Sequence, residues 1–276
     1  MPSHAGGEAL ARPRAARIVA FERLSDRHVA FEVADPHLAR TKAGQFAMLW
    51  IPGVDEVPMG VSTVDPERGT AWFLVLEVGD CTRAMGRLKA GDRIGVRGPY
   101  GRPFAVPKAA KTLLVGGGTG TAPLLAAVDE VHATGGTATV VPGARTKDLL
   151  VWLDRFEAAA DAVHPCTDDG SLGHHGFTTG KTEELLATGA FDLVLTCGPE
   201  IMMVKVAEAA RRHGVPCQVS VERWMKCGVG VCGSCVMGDG VRACVEGPCI
   251  PAEVAERLPD WGHYHRGPDG NKMPLH

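Results

Sequence analysis

The sequence predicts an antiparallel β-barrel, then an α/β domain with a doubly wound parallel sheet, and finally a cysteine-rich loop. Residues 17–104 contain short segments rich in β-branched and aromatic residues, separated by Asp, Pro and Gly, with no long helical pattern between them. Beyond Pro107, apolar segments alternate with helical patterns, as in βαβ units. Residues 221–249 hold five of the nine cysteines in a glycine-rich run. These three observations set the fold class.

The first domain is assigned to residues 16–106, after a disordered lead-in over residues 1–15. Strands are predicted at RIVAFERL, HVAFEVA, QFAMLWI, TAWFLVLEV and GDRIGVRGPYG, and a short helix at residues 82–88. Evenly spaced strands with little helix between them favour a small antiparallel barrel.

The second domain is assigned to residues 107–220 and is predicted to be Rossmann-like. Its strands fall at KTLLV, TATVVPGAR, AVHPCTDD, FDLVLTCGP and VPCQVSVE. Helices are predicted between them, at PLLAAVDEVHATG, LLVWLDRFEAAA, TEELLATG and IMMVKVAEAARRHG. Strict alternation of this kind predicts a parallel sheet. The cysteine loop follows over residues 221–254, and residues 255–276 are expected to form a mobile or loosely docked tail.

Composition excludes several classes of function. The formal net charge of −3 gives no electrostatic basis for binding nucleic acid or acidic lipid. The N-terminal residues lack the apolar core of a secretory signal, and no run of 18 apolar residues predicts a membrane span. Nine cysteines in such a chain favour a reducing cytoplasm, where thiols serve as ligands or small core residues.

The cysteines carry the most specific pattern. Cys227, Cys232 and Cys235 are spaced C-x4-C-x2-C, and Cys244 follows after a short turn. This is the plant-type spacing for a [2Fe–2S] cluster held by four thiolates. The nearby glycines would let the backbone approach the cluster: they are Gly228, Gly230 and Gly233. A structural zinc site or a disulfide is the alternative, but zinc does not explain the position of Cys227.

A glycine-rich turn predicts a dinucleotide site. It follows the apolar strand LLV and opens a helix, and its candidate binding residues are Gly116, Gly117, Gly118, Thr119 and Gly120. Glycines in this context let the backbone approach a pyrophosphate, whose charge is favoured at a helix N-terminus. The alternative is a tight turn with no ligand.

A second turn, Cys197-Gly198-Pro199, also lies between a strand and a helix, where open α/β sheets bind ligands. On spacing alone it is equally consistent with an ordinary helix start. No acidic ribose-binding residue is evident after the second strand, and Arg145 there could instead meet an adenosine phosphate. The choice between NAD and NADP therefore stays open.

Two other segments are less specific. The aspartates and histidines of TDDGSLGHHG fit no recognised metal-ligand spacing, so a structured loop beside the nucleotide is the favoured interpretation. In the barrel, residues 57–62 and the pair Cys81-Thr82 could bind a second cofactor, but each is equally consistent with an ordinary strand or helix cap.

Taken together, the motifs resemble a known family. GPYG, GGGTGTAP, TDDGSLGHHGF, CGP, ERWMKCGVGVCGSC and RACVEGP occur in this order. The arrangement resembles the ferredoxin–NADP reductase superfamily and, within it, the electron transfer subunits of two-component, NAD-dependent dihydroorotate dehydrogenases. The resemblance covers residues 17 to about 254.

The resemblance implies specific ligands. The cluster ligands fall on Cys227, Cys232, Cys235 and Cys244, with Cys249 as the rival for the fourth position. The family's flavin-binding Arg-Pro-x-Ser pattern aligns with residues 57–60, where Val57 and Gly60 replace the Arg and the Ser. The flavin contacts then implied are Pro58, Met59, Gly60 and Val61 at this turn, and Gly79 and Thr82 at the flavin pyrophosphate.

The resemblance also implies a function. FAD would bind in the barrel, NAD(H) on the Rossmann-like domain, and the [2Fe–2S] cluster at the edge facing a partner. That partner would be a flavin-containing subunit that oxidises dihydroorotate in pyrimidine biosynthesis, in a heterotetramer or heterodimer, and no catalytic base would be needed in this chain. Alternatives are a diaphorase subunit of a hydrogenase, sulfide dehydrogenase or ferredoxin:NADP transhydrogenase, a nucleotide-sensing regulatory subunit, and a zinc-stabilised binding module.

Overall fold

The computed structural model describes residues 11–275, and its first part is one curled antiparallel sheet with a short helix. The elements are β1 (Arg14–Arg23), β2 (His28–Ala34), β3 (Phe46–Ile51), β4 (Asp55–Gly60), β5 (Thr63–Asp65), β6 (Thr70–Leu76), α1 (Asp80–Met85) and β7 (Arg93–Tyr100). The strand order is β4-β3-β7-β1-β2-β6-β5, and β4 at one edge also contacts β6, so the sheet forms a half-open barrel. The predicted helix begins two residues earlier than expected. Most of the predicted disordered lead-in, residues 1–10, lies outside the described residues.

Strands β2 and β6 are buried on both faces because they belong to two cores. Phe31 and Phe73 face each other inside the barrel, with ring centroids 6.0 Å apart. The adjacent pair, Ala30 and Leu74, points the other way and packs into the core of the second domain. Because side chains alternate between these two cores, nearly every residue of HVAFEVA is buried.

The second part is an α/β domain. Its elements are β8 (Lys111–Gly117), α2 (Leu124–Ala133), β9 (Thr137–Ala144), α3 (Leu153–Ala159), β10 (Ala162–Val163), β11 (Cys166–Thr167), β12 (His174–His175), α4 (Thr178–Leu186), β13 (Leu193–Cys197), α5 (Glu200–Arg212) and β14 (Cys217–Ser220). These strands are parallel in the order β12-β11-β9-β8-β13-β14, with β10 beside β9. From β8 the chain first adds strands on one side of the sheet and then, from β13, on the other. Open sheets of this kind bind ligands at the carboxyl ends of the strands where the direction changes.

The C-terminal part returns to the edge of this sheet. Its elements are β15 (Val236–Met237), β16 (Val241–Arg242), β17 (Cys249–Pro251), α6 (Ala252–Ala255), β18 (Tyr264–Arg266) and β19 (Lys272–Pro274). Strand β17 pairs antiparallel with β14, so the cysteine loop leaves the sheet and comes back beside its starting point. In the segment expected to be loosely docked, Ala255, Asp260 and Trp261 are buried.

No helix within the described residues is long and apolar enough to cross a membrane.

Candidate cofactor-binding cleft and cluster loop

A cleft of about 1180 Å³ lies where the barrel, the α/β domain and the cysteine segment meet. It is larger than the roughly 300–1,000 Å³ typical of a pocket for one small ligand. Its lining includes Phe46 and Met59 from the barrel, Gly118 from the first glycine turn and Met225 from the cysteine segment. The cleft therefore has room for more than one large cofactor and is bordered by all three parts of the chain.

On the barrel side, the predicted flavin residues divide into two groups. Pro58, Met59 and Gly60 line the cleft along the end of β4, whereas Val61 is buried in the barrel core. A Cβ at Gly60 would lie 2.8 Å from Cγ of Pro123, at the start of α2. Glycine at this position therefore lets the two domains pack closely. This packing is a structural reason why residue 60 is glycine and not the serine of the Arg-Pro-x-Ser pattern.

At the other predicted flavin position, Thr82 caps helix α1. Its Oγ1 accepts hydrogen bonds from the backbone N–H groups of Val78 (3.0 Å) and Gly79 (2.9 Å). Thr82 and Val78 line the cleft, and Gly79 lies between them in sequence, before the helix. This capped turn therefore borders the cleft.

On the nucleotide side, the two predicted turns touch. Cys197 and Gly116 are register partners on β13 and β8, so the ends of these strands lie side by side. A Cβ on Gly120 would be only 2.6 Å from Cα of Gly198. Gly117, Gly118, Thr119 and Gly120 line the cleft together with Cys197, Gly198 and Pro199. Gly116 is not part of this lining: it is buried, and a Cβ there would meet Thr121.

The first glycine turn fits a pyrophosphate. Gly118 has φ +54°, and a Cβ there would meet nothing within 4 Å, so its backbone faces open space. A turn of 3₁₀ helix (Gly118–Thr121) then leads into α2, whose N-terminus favours negative charge. The backbone and not a side chain would thus bind the phosphates.

The part of the cleft that follows β9 carries charges of both signs. Arg145 follows β9, and Asp148 and Asp168 line the same region, with all three side chains exposed. A carboxylate would favour a ribose hydroxyl, whereas a guanidinium would favour a phosphate. The loop that contains Asp168 is closed by its own hydrogen bonds, between Thr167 and Leu172 among others.

The cysteine loop arranges the four predicted cluster ligands in two pairs, Cys235 with Cys244 and Cys227 with Cys232. Cys235 and Cys244 are buried with their Sγ atoms 3.3 Å apart. The backbone N–H groups of Val231 and Cys232 point at Sγ of Cys227, at 3.4 and 3.5 Å. Three glycines in the loop have left-handed backbone, with φ between +71° and +77°: they are Gly228, Gly230 and Gly233. Amides directed at sulfur from a glycine-rich loop are the environment that an iron–sulfur cluster needs.

The thiols of this loop differ in acidity. Burial and the neighbouring Cys235 raise the pKa of Cys244 to about 12. At Cys232, burial opposes ionisation, but hydrogen bonds from Ser234 and Cys227 outweigh it and lower the pKa to about 6. Metal binding requires thiolates, so assembly at this site must release protons from the buried cysteines.

Cys249 lies elsewhere. It is buried on β17 beside Ser220, and its Sγ occupies the space that a Cβ on Gly44 would need. It belongs to the core that includes Phe104, whereas Cys235 and Cys244 belong to another. The structure therefore separates the rival fourth ligand from the other four cysteines.

A zinc site is not preformed. The described residues contain no group of three or more His, Cys, Asp and Glu side chains arranged to hold one metal ion. A two-iron cluster is held differently, because each iron takes two thiolates. The donor set and the amides around it fit the cluster better than the single ion.

Sequence reasoning missed part of the cleft lining. Gly44 and Phe46 line it, and they lie in or beside a predicted strand that carries no recognisable motif, so no signal in the sequence could have found them. Ser62, Met225 and Pro248 also line it, but they belong to segments already named from the sequence: residues 57–62, ERWMKCGVGVCGSC and RACVEGP.

Comparison with known proteins identifies the family. Residues 222–254 match the model of the iron–sulfur cluster binding domain of dihydroorotate dehydrogenase B. A probable dihydroorotate dehydrogenase B (NAD(+)) electron transfer subunit of Methanocaldococcus jannaschii is 48% identical over 233 residues, which is 84% of this chain and 88% of that protein. A protein of the same description from Methanothermobacter thermautotrophicus is 43% identical over 84% of this chain and 86% of its own length. This chain belongs to the family of dihydroorotate dehydrogenase B electron transfer subunits.

Solved structures agree with this family. The structure of an NADH-dependent reduced ferredoxin-NADP oxidoreductase matches with a TM-score of 0.81 and 33% identity, covering 89% of this chain and 90% of that one. A ferredoxin NADP⁺ reductase from Neisseria gonorrhoeae, solved with FAD and NADP, matches in fold with a TM-score of 0.61 and 18% identity, over 73% of this chain and 92% of that one. The predicted fold class and the predicted family are confirmed. The predicted cofactors, an iron–sulfur cluster, FAD and NAD(H), are those that the family model and the fold support.

Proposed function

We propose that this chain passes electrons between a catalytic dihydroorotate dehydrogenase subunit and NAD, using a [2Fe–2S] cluster and FAD. The observation that carries the proposal is the meeting of three sites at one cleft. Met225 and Pro248 flank the cluster ligands in sequence and line the same cavity as Met59 of the barrel and Gly118 of the nucleotide turn. Carriers bound at these places would be neighbours.

When bound, the nicotinamide exchanges a hydride, the cluster exchanges single electrons, and the flavin can do both. The chain's own contribution is binding and orientation. Gly118 and its neighbours offer backbone N–H groups to a pyrophosphate. Pro58, Met59 and Gly60 border the flavin side with backbone and apolar surface, and the four cysteines hold the cluster.

The partner would dock beside Cys232. This cysteine is exposed, and its neighbours Val229 and Val231 are 40% and 83% exposed. Exposed apolar residues next to a redox ligand are expected where another protein covers them. A location in the cytoplasm is also proposed, because none of the nine cysteines forms a disulfide bond.

A second candidate is the equivalent subunit of a ferredoxin:NADP oxidoreductase, favoured by the match at 33% identity to the solved structure of such an enzyme. Co-purification with native partners separates the two. We expect dihydroorotate-dependent reduction of NAD⁺ by the complex. Reduction of NADP⁺ by reduced ferredoxin, without activity on dihydroorotate, would contradict the proposal.

The ligand set is tested with two serine variants. Cys244→Ser should lose the visible and EPR spectra of the cluster, because it removes a buried thiol 3.3 Å from Cys235. Cys249→Ser should keep them, because Cys249 packs in a separate core. Iron content and EPR of both anaerobically purified proteins provide the measurement. Loss of the cluster only in the Cys249 variant would show that the assignment is wrong.

A further inference from the structure

The cysteine loop rests on the barrel at one end, beside Cys227. Gly228, the next residue, has φ +71°, and a Cβ there would lie 3.0 Å from Cγ of Met48 and 3.2 Å from Cδ2 of Tyr100. Met48 and Tyr100 belong to neighbouring strands β3 and β7. The loop backbone therefore lies directly against these two strands.

A partly buried arginine contacts the loop at the same point. The Arg97 guanidinium, on β7, donates from Nη1 to the carbonyl oxygen of Cys227 at 3.0 Å. Its side chain is only 12% exposed. This hydrogen bond joins the barrel to a predicted cluster ligand across 130 residues of sequence.

Glu56 fixes the arginine. Its carboxylate accepts from Nε of Arg97 at 2.7 Å and from Nη2 at 2.5 Å, a two-pronged contact from the adjacent part of the barrel. An arginine guanidinium keeps its proton in proteins, so this group carries a positive charge. Because Glu56 holds both Nε and Nη2, the direction of Nη1 is fixed, and Nη1 points at the carbonyl oxygen of Cys227.

This anchor lies between the cleft and the loop. Tyr100 packs against Phe46, with ring centroids 5.9 Å apart, and Phe46 lines the cleft. The Arg97 guanidinium lies 5.8 Å from the Tyr100 ring centroid. A series of contacts through Phe46, Tyr100 and Arg97 thus connects the cleft to Cys227.

We propose that Arg97, oriented by Glu56, is a positioning residue for the cluster: it fixes the backbone at Cys227 and places a positive charge beside that ligand. Redox sites need such support around their ligands, because the supporting groups set both geometry and potential. The inference rests on the proposed function only in taking Cys227 as a ligand.

The first test uses iron-free protein, so that it does not depend on cluster loading. Hydrogen exchange of the amides at residues 227–235 should be about tenfold faster or more in Arg97→Gln and in Glu56→Gln than in the wild type. Arg93→Gln is the matched control: Arg93 is on the same strand, is exposed, and has no side-chain hydrogen bond or ion pair within the described residues. Its exchange should equal that of the wild type.

The second test uses the reconstituted protein. Arg97→Gln should shift the g-values of the reduced cluster and lower its midpoint potential, because a nearby positive charge favours the added electron. Arg97→Lys keeps the positive charge but cannot make the two-pronged contact with Glu56. The midpoint potential of the cluster should therefore stay close to that of the wild type, while the amides of the loop should still exchange faster.

Two results separate the possible failures. If the wild type binds no iron–sulfur cluster, the proposed function fails. If the wild type binds the cluster, but Arg97→Gln and Arg93→Gln give the same exchange rates and the same EPR spectrum, the positioning role is wrong.

Discussion

Gly120 and Gly198 show how closely the nucleotide turns depend on single residues. A Cβ on Gly120 would lie 2.6 Å from Cα of Gly198, which leaves no room for any side chain. The obstructing atom is backbone, so a larger residue must separate the two turns. Glycine is required here by packing, although its own φ is not in the left-handed region.

Gly120→Ala should therefore weaken NAD(H) binding about tenfold or more, which corresponds to about 1.4 kcal/mol or more. Titration of the purified protein with NADH, followed by fluorescence or calorimetry, measures this. The control is Gly180→Ala on helix α4, where the nearest atom is at 3.4 Å and alanine favours the helix. Equal affinity of the two variants would contradict the role given to Gly120.

At the scale of elements, an arginine between two tryptophans joins the domains. The Arg155 guanidinium, on α3, lies 4.6 Å from the ring centroid of Trp72 and 4.3 Å from that of Trp152. It also donates to both carboxylate oxygens of Glu22 at 2.6 and 2.8 Å. Trp72 and Glu22 belong to the barrel, whereas Trp152 and Arg155 belong to the α/β domain.

Arg155→Lys should destabilise the protein by about 1–2 kcal/mol, because an ammonium stacks less well than a guanidinium on the two rings. The ion pair with Glu22 is partly exposed and contributes little to this loss. Chemical denaturation with urea measures the free energy of unfolding. Arg87→Lys is a suitable control, since Arg87 is exposed and has no side-chain hydrogen bond or ion pair within the described residues. An Arg155 variant as stable as this control would exclude the stacking as a source of stability.

At the scale of the whole molecule, buried charges connect the nucleotide turn, the cysteine segment and the C-terminal segment. Arg223 is bound by Glu200, at the start of α5, and by Asp260, at 3.4 Å. Glu200 also accepts the N–H of Gly262 at 2.7 Å, and Asp260 that of Gly238 at 2.8 Å. All three charged side chains are at most 9% exposed.

Arg223→Met should destabilise the protein by about 3–5 kcal/mol, because it leaves two carboxylates buried without a cation. Adding Glu200→Gln and Asp260→Asn to the same protein should recover part of this loss. Urea denaturation and limited proteolysis of the C-terminal segment measure both effects. The prediction fails if the single variant unfolds at the same urea concentration as the wild type.

The sequence by itself determined the local features. Most strand and helix positions in the α/β domain follow from alternation of apolar and helical patterns, and the observed elements overlap the predicted segments. Two differ: α4 begins at Thr178, four residues before its predicted segment, and β12 (His174–His175) lies in a segment predicted to be a loop. The C-x4-C-x2-C spacing and the strand–turn–helix context of the glycine turn identified the family, because these signals are encoded within a few residues.

Only the tertiary structure decided how these features meet. It placed Cys249 in a different core from Cys235 and Cys244, and it placed Val61 in the barrel core. It also showed that Gly60 leaves room for Pro123 of the other domain. It also brought Arg97 to Cys227, 130 residues away. Such contacts depend on how sheets curl and domains pack, and the pattern of one segment carries no information about the segment that will lie against it.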